Sequence, residues 1–342
     1  MIHCVWFLSG CGLSWLTILL LPLVLGGTCA AGSPLDDPWP VTPGEISPAF
    51  QSARKSEKQN PDDQAIADAN RVLDFNPKDV PSLLGRGAAY TRKGDYGKAE
   101  EDLKRALALD PANARVYACL ALLDACTRRL PQAVVGFSKA IELNPDETAY
   151  YHDRGVARAE IGGEDDAAID DFTKALDMNP TDADSWYYRA ILERRKNRNA
   201  EAIADLTKTI IIRPDWASAT YTRGLVYYKS GRYAEAVKDF TRTLELMPKE
   251  AAAYYNRGLA YAKTDDLDRA IADYTSALKI NPDDPDSHYN RANAYRRKGS
   301  SAEAITDYEV FIRVAPAGYP QYVELAKQRI MELKLTLKPE IK

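Results

Sequence analysis

Basic residues are missing from the first 53 positions of this 342-residue chain: Arg54 is its first Lys or Arg. Histidine is scarce, at three (His3, His152 and His288), and cysteine stops at five. No HExxH or CxxC spacing occurs, so the common zinc and redox motifs have no ligand set. No GxxxxGK[ST] loop and no GxSxG elbow occurs either, which leaves no recognisable phosphate cradle or activated serine. No catalytic, cofactor-binding or metal-binding residue is therefore assigned. The formal net charge is only −4 with 27% charged residues, and a nucleic-acid binder would be clearly basic. What the chain does have is 45% apolar residues, enough for a sizeable core.

The one long apolar run, Leu13–Leu25, lies near the start and is broken by Pro22 and by Gly26–Gly27. Small residues follow. This is the layout of a secretory signal over residues 1–31, cleaved after about Ala30 or Ala31. An uncleaved anchor over Val5–Leu25 and a lipoprotein signal at Cys29 are the alternatives. Each places the protein outside the cytoplasm, periplasmic or extracellular, or held at a membrane through this segment alone. Residues 32–48 carry Pro34, Pro38, Pro40, Pro43 and Pro48 and read as an extended tether. Beyond the signal only Cys119 and Cys126 remain. Seven residues apart on one helix, they are roughly 10 Å from each other. A disulfide needs about 7 Å or less, so both are expected free.

Prolines recur at Pro77, Pro111, Pro145, Pro180, Pro214, Pro248, Pro282 and Pro316. The step is 34 residues, with one step of 35. A fixed period of this size means stacked supersecondary units. Before each proline stands an amphipathic stretch such as "AIDDFTKALDM" or "AIADYTSALKI", with apolar residues every three to four positions. Proline then stops that helix. Within each unit Gly94, Asn197, Gly231 or Gly299 ends an earlier helix, since Gly and Asn accept the left-handed conformation of a helix C-terminus.

The columns of this period resemble the tetratricopeptide repeat family over residues 80–318, as seven repeats. Large residues stand at Leu83, Tyr117, Tyr151, Trp186, Thr220, Tyr254 and His288, Thr220 being the weak member. Small ones stand at Gly87, Ala121, Gly155, Ala190, Gly224, Gly258 and Ala292. In the second helix Ala99, Ala133, Ala168, Ala202, Ala236, Ala270 and Ala304 line up. Four residues on come Leu103, Phe137, Phe172, Leu206, Phe240, Tyr274 and Tyr308. The resemblance implies an all-α, right-handed superhelical solenoid of stacked helix-turn-helix repeats. Residues 49–79 then read as a degenerate N-terminal repeat, and residues 319–342 as a capping helix and tail.

An arginine recurs in the first helix: Arg86, Arg154, Arg189, Arg223, Arg257 and Arg291. An aspartate recurs in the second: Asp102, Asp171, Asp205, Asp239, Asp273 and Asp307. In the second repeat the first is Leu120 and the second is Gly136, so both columns lapse together. Columns that come and go together are expected to touch, and a structural Arg–Asp bond is the reading of these twelve residues.

In the resembled family the first helices line a concave groove that receives extended peptides. Here Tyr187, Tyr221, Tyr255 and Tyr289 share one column expected to be exposed there. Arg194, Arg195, Tyr228, Lys229, Lys263, Arg296 and Arg297 lie near the ends of the same helices. Residues 183–318 hold 22 Lys+Arg against 19 Asp+Glu, and residues 48–182 hold 18 against 24. A tyrosine-lined, basic half-groove suits an acidic protein or peptide segment. The expected function is that of a non-catalytic binding scaffold or adaptor. A self-associating architectural solenoid is the alternative, and an enzyme with an unrecognised site the remote one.

Overall fold

A computed structural model describes residues 61–337. The signal and tether expected over residues 1–48 lie outside the described residues, as do residues 49–60 of the degenerate repeat and residues 338–342 of the tail. The described residues form sixteen helices and no strand. They are α1 (Pro61–Phe75), α2 (Val80–Lys93), α3 (Tyr96–Leu109), α4 (Ala114–Cys126), α5 (Leu130–Leu143), α6 (Thr148–Ile161), α7 (Asp165–Met178) and α8 (Ala183–Arg195). Then follow α9 (Asn199–Ile212), α10 (Ala217–Lys229), α11 (Tyr233–Leu246), α12 (Ala251–Lys263), α13 (Leu267–Ile280), α14 (Pro285–Lys298), α15 (Ser301–Val314) and α16 (Pro320–Leu337). Among the described residues, no helix is long and apolar enough to cross a membrane.

These residues divide into two compact units, 61–208 and 209–337, with the division inside α9. Each unit is an all-α stack of helical hairpins. Even-numbered helices from α2 open a hairpin, and odd-numbered ones close it. Within each unit a closing helix packs on the opening helix of the next hairpin, and successive opening helices also touch, as α10 and α12 do.

Local chemistry sets the boundaries. Asp79 and Asp284 accept hydrogen bonds from the backbone N–H of Ser82 and Ser287, both at 2.9 Å, and so cap α2 and α14. Gly94 and Gly299, at φ 83° and 84°, end the same two helices in the left-handed region. Close approach within a hairpin depends on the small column. A Cβ on Gly258 would lie 2.9 Å from Tyr274 Cε1, and one on Gly224 would lie 2.8 Å from Phe240 Cε1. Beneath them Ala236, Phe240, Ala270 and Tyr274 are fully buried.

Candidate functional site

The recurrent arginines hold the stack together. Arg257 on α12 donates Nε to Asp273 Oδ2 and Nη2 to Asp273 Oδ1, both at 2.8 Å. This is the bidentate fork that suits a carboxylate. Arg86 with Asp102, Arg189 with Asp205, Arg223 with Asp239 and Arg291 with Asp307 repeat it at 2.7–2.9 Å. Arg154 and Asp171 do the same at 2.7 and 3.0 Å, with Arg158 as a second donor at 2.8 Å.

A third partner was not read from the sequence. Arg257 Nη1 also donates to Thr241 Oγ1 of the preceding hairpin at 3.0 Å. Arg154 reaches Ser138, Arg189 reaches Thr173, Arg291 reaches Thr275 and Arg86 reaches Asn70 in the same way, at 2.6–3.0 Å. The Thr173 and Thr275 hydroxyls give their protons to the Ile169 and Ile271 carbonyls one turn back, which leaves a lone pair for the arginine. Each of these five sets therefore staples one hairpin internally and to its predecessor. The signal was available: Asn70, Ser138, Thr173, Thr207, Thr241 and Thr275 form a column whose one exception, Lys104, precedes Leu120. The large-residue column has its own task. Tyr117, Trp186 and His288 donate to the carbonyls of Pro111, Pro180 and Pro282 at 2.9–3.2 Å, anchoring helix to turn.

The tyrosine column does not form the exposed stripe expected of it. Tyr187, Tyr221, Tyr255 and Tyr289 are only 6, 7, 1 and 4% exposed, and Tyr228 is 6% exposed. The opening helices pack closely enough to cover the rings. In unit two, Asn256 Nδ2 donates to the Tyr221 hydroxyl at 2.6 Å, and Asn290 Nδ2 donates to the Tyr255 hydroxyl at 2.9 Å. Where no further hairpin follows, Arg329 of α16 donates to the Tyr289 hydroxyl at 3.0 Å. The rim is partly neutralised as well. Arg195 pairs with Asp165 at 2.7 Å, and Arg297 pairs with Asp265 at 2.6 Å. Lys229, Lys263 and Arg296 are exposed, and Arg194 is half-buried.

Two buried polar clusters remain. His152 stands in the tyrosine column of its own hairpin. Its Nδ1 lies 2.7 Å from Ser185 Oγ and 3.5 Å from Asp182 Oδ2. Burial opposes the charge on both partners, but their hydrogen bond outweighs it. Asp182, also bonded by Ser185, is drawn down to about 2, and His152 is raised above its ordinary value. Ser185 has no exposed surface, so this Ser/His/Asp set is closed to substrate. Burial pushes the Cys119 thiol up to about 11, which keeps it protonated and unreactive. Neither Cys119 nor Cys126 forms a disulfide. No group of His, Cys, Asp and Glu able to hold a metal occurs among the described residues.

One recess lies in unit one, with a volume of about 440 Å³. Ala65, Val80, Leu84 and Ala88 of α1 and α2 wall one side. Cys119 and Arg115 of α4 line the other, with Arg92 of α2 and with Asp110 and Asn113 of the α3–α4 connection. Arg115 is exposed, while Arg92 is engaged with Asp62.

Models of the tetratricopeptide repeat match residues 80–113, 172–204, 221–285 and 274–306. Human tetratricopeptide repeat protein 13 is 31% identical over 134 residues, 38% of this chain and 15% of that protein. The TPR repeat-containing thioredoxin TDX of Arabidopsis thaliana is 30% identical over 115 residues, 33% of this chain and 30% of that one. The chain thus spans less than a third of either relative. Among solved structures, the C-terminal part of a TPR repeat-containing protein from Cytophaga hutchinsonii superposes with a TM-score of 0.61 at 19% identity. That match covers 72% of this chain and 99% of that one. YrrB, described as a TPR protein with an unusual peptide-binding site, gives 0.50 at 23% identity, covering 54% and 95%. At these identities the structural likeness speaks to the fold alone.

Proposed function

The chain is a tetratricopeptide repeat protein, and we propose that it works as a non-catalytic scaffold binding an extended, acidic protein segment along its opening helices. The observation that carries this reading is the recess between α1, α2 and α4. Its walls are mostly apolar side chains, and Arg115 stands exposed at its mouth. An apolar side chain of the partner would fill it, and a neighbouring carboxylate would meet Arg115. The exposed Lys229, Lys263 and Arg296 extend the same preference to unit two. The N-terminal segment supports an exported setting.

The test is a cross-linked pull-down from the native host with residues 32–342. Beside the parent run Gly85→Phe with Arg115→Glu, and separately Lys229→Glu with Lys263→Glu and Arg296→Glu. Gly85 lines the recess, and a Cβ there meets nothing within 4 Å, so the first pair blocks the recess without disturbing the core. A partner held by the parent and lost with a folded variant supports the reading and says which unit carries it. A partner retained by both variants refutes it.

Met331, Leu335 and Leu337, 62, 69 and 53% exposed on α16, favour a second reading, self-association through the last helix. A sedimentation coefficient that does not change with concentration would dismiss it.

A further inference from the structure

Within unit one the staples run through every joint but one. Between α3 and α4 all three members are missing: Lys104 replaces the hydroxyl, Leu120 the arginine and Gly136 the aspartate. Lys104 turns instead to Glu100 on its own helix at 2.9 Å. The apolar core of unit one divides at the same place. Val116, Cys119 and Leu123 on one face of α4 join the cluster of α1–α3, with Leu83 and Leu103. Ala118, Ala121, Leu122 and Ala125 join a second cluster with Phe137, Val156 and Phe172. The core of unit two also divides, at α14, but there Arg291 crosses to Thr275 and Asp307. At the α3–α4 joint α4 rests more on α2, and less on α3, than equivalent helices do elsewhere. The recess opens across this joint, with α1 and α2 on one side and α4 on the other.

We propose that the α3–α4 joint is a hinge on which α1–α3 move as a body against α4 and the helices after it in unit one, opening and closing the recess. The stapled joints resist such motion, because sliding a closing helix past the next opening helix breaks directional, charge-assisted bonds. Nondirectional apolar contact at α4 tolerates it. The inference does not depend on what the recess binds.

Hydrogen exchange of the full chain, read by mass spectrometry, tests it. Residues 110–116 should exchange at least about tenfold faster than the equivalent connections 144–150 and 281–287, because local opening costs less at the hinge. Lys104→Thr, Leu120→Arg, Ala121→Gly and Gly136→Asp together transplant the set present at the α11–α12 joint, and should bring 110–116 down to the common rate. Ala121→Gly is included because a Cβ on Gly136 would sit 2.8 Å from the Ala121 Cβ. Should that variant not fold, the reverse transplant decides: Thr241→Lys, Arg257→Leu and Asp273→Gly should make residues 247–253 fast. A parent in which 110–116 exchanges no faster than the other connections overturns the hinge. So does a folded forward transplant that leaves 110–116 fast, or a reverse transplant that leaves 247–253 slow.

Discussion

Replacing Arg257 by Leu should cost about 3–5 kcal/mol, because it strands a buried carboxylate. Asp273 is 5% exposed and takes both fork hydrogen bonds from this one guanidinium. Replacing Asp273 by Leu should cost about 3 kcal/mol, at the lower end of that range. The Arg257 side chain is 18% exposed, keeps Thr241 as an acceptor at 3.0 Å and lies 5.7 Å from the Tyr254 ring centroid. Replacing both should cost much less than the sum, about 0–2 kcal/mol, since no charge is left buried. The coupling is therefore expected to exceed about 3 kcal/mol. The assay is urea denaturation of the four proteins followed by circular dichroism, compared at a shared slope. Thr241→Val in the parent background should cost about 1 kcal/mol more, and nothing once Arg257 is gone. Additive losses from the two single variants would refute the staple as an energetic unit, whatever its geometry.

Gly258→Ala should destabilise by about 1–2 kcal/mol despite better helix propensity, since its Cβ meets Tyr274 and the Ala270 carbonyl at 2.9–3.3 Å. Gly85→Ala, with open space around it, should gain up to about 1 kcal/mol in the same melt. Tyr255→Phe should lower stability by about 0.5–1.5 kcal/mol with unchanged partner binding, because Asn290 loses one acceptor and keeps the Asp286 carbonyl. Lost affinity at unchanged Tm would instead return this ring to the binding surface. The His152–Asp182 link has a pH window. The raised histidine contributes below its unfolded value near 6.5 and fades as pH rises through its folded value. The depressed aspartate contributes above its unfolded value near 3.8 and fades as pH falls toward 2. The Tm gap between parent and His152→Gln should therefore be widest between about pH 4 and 6.5, and a gap flat from pH 4 to 9 would sink the assignment.

Period and columns were legible from the sequence alone, because a repeat stacks on copies of itself and each column meets the same surroundings seven times. The 34-residue proline step, the Gly/aromatic contacts and the lapse at Leu120 and Gly136 all follow from comparing the chain with itself. Two things were not legible. Tyr221, Tyr255 and Tyr289 look like a groove lining because helical periodicity places them beside the core stripe. Only the distance between neighbouring opening helices decides whether such a ring is open or covered, and here Asn256, Asn290 and Arg329 close over the hydroxyls. The recess likewise depends on how α4 sits against α2 and α3. Local sequence dictates where helices start, stop and turn their apolar faces. The spacing between them, and therefore which polar groups meet and which surface stays open, is settled by packing between residues 16 to 40 apart in the chain.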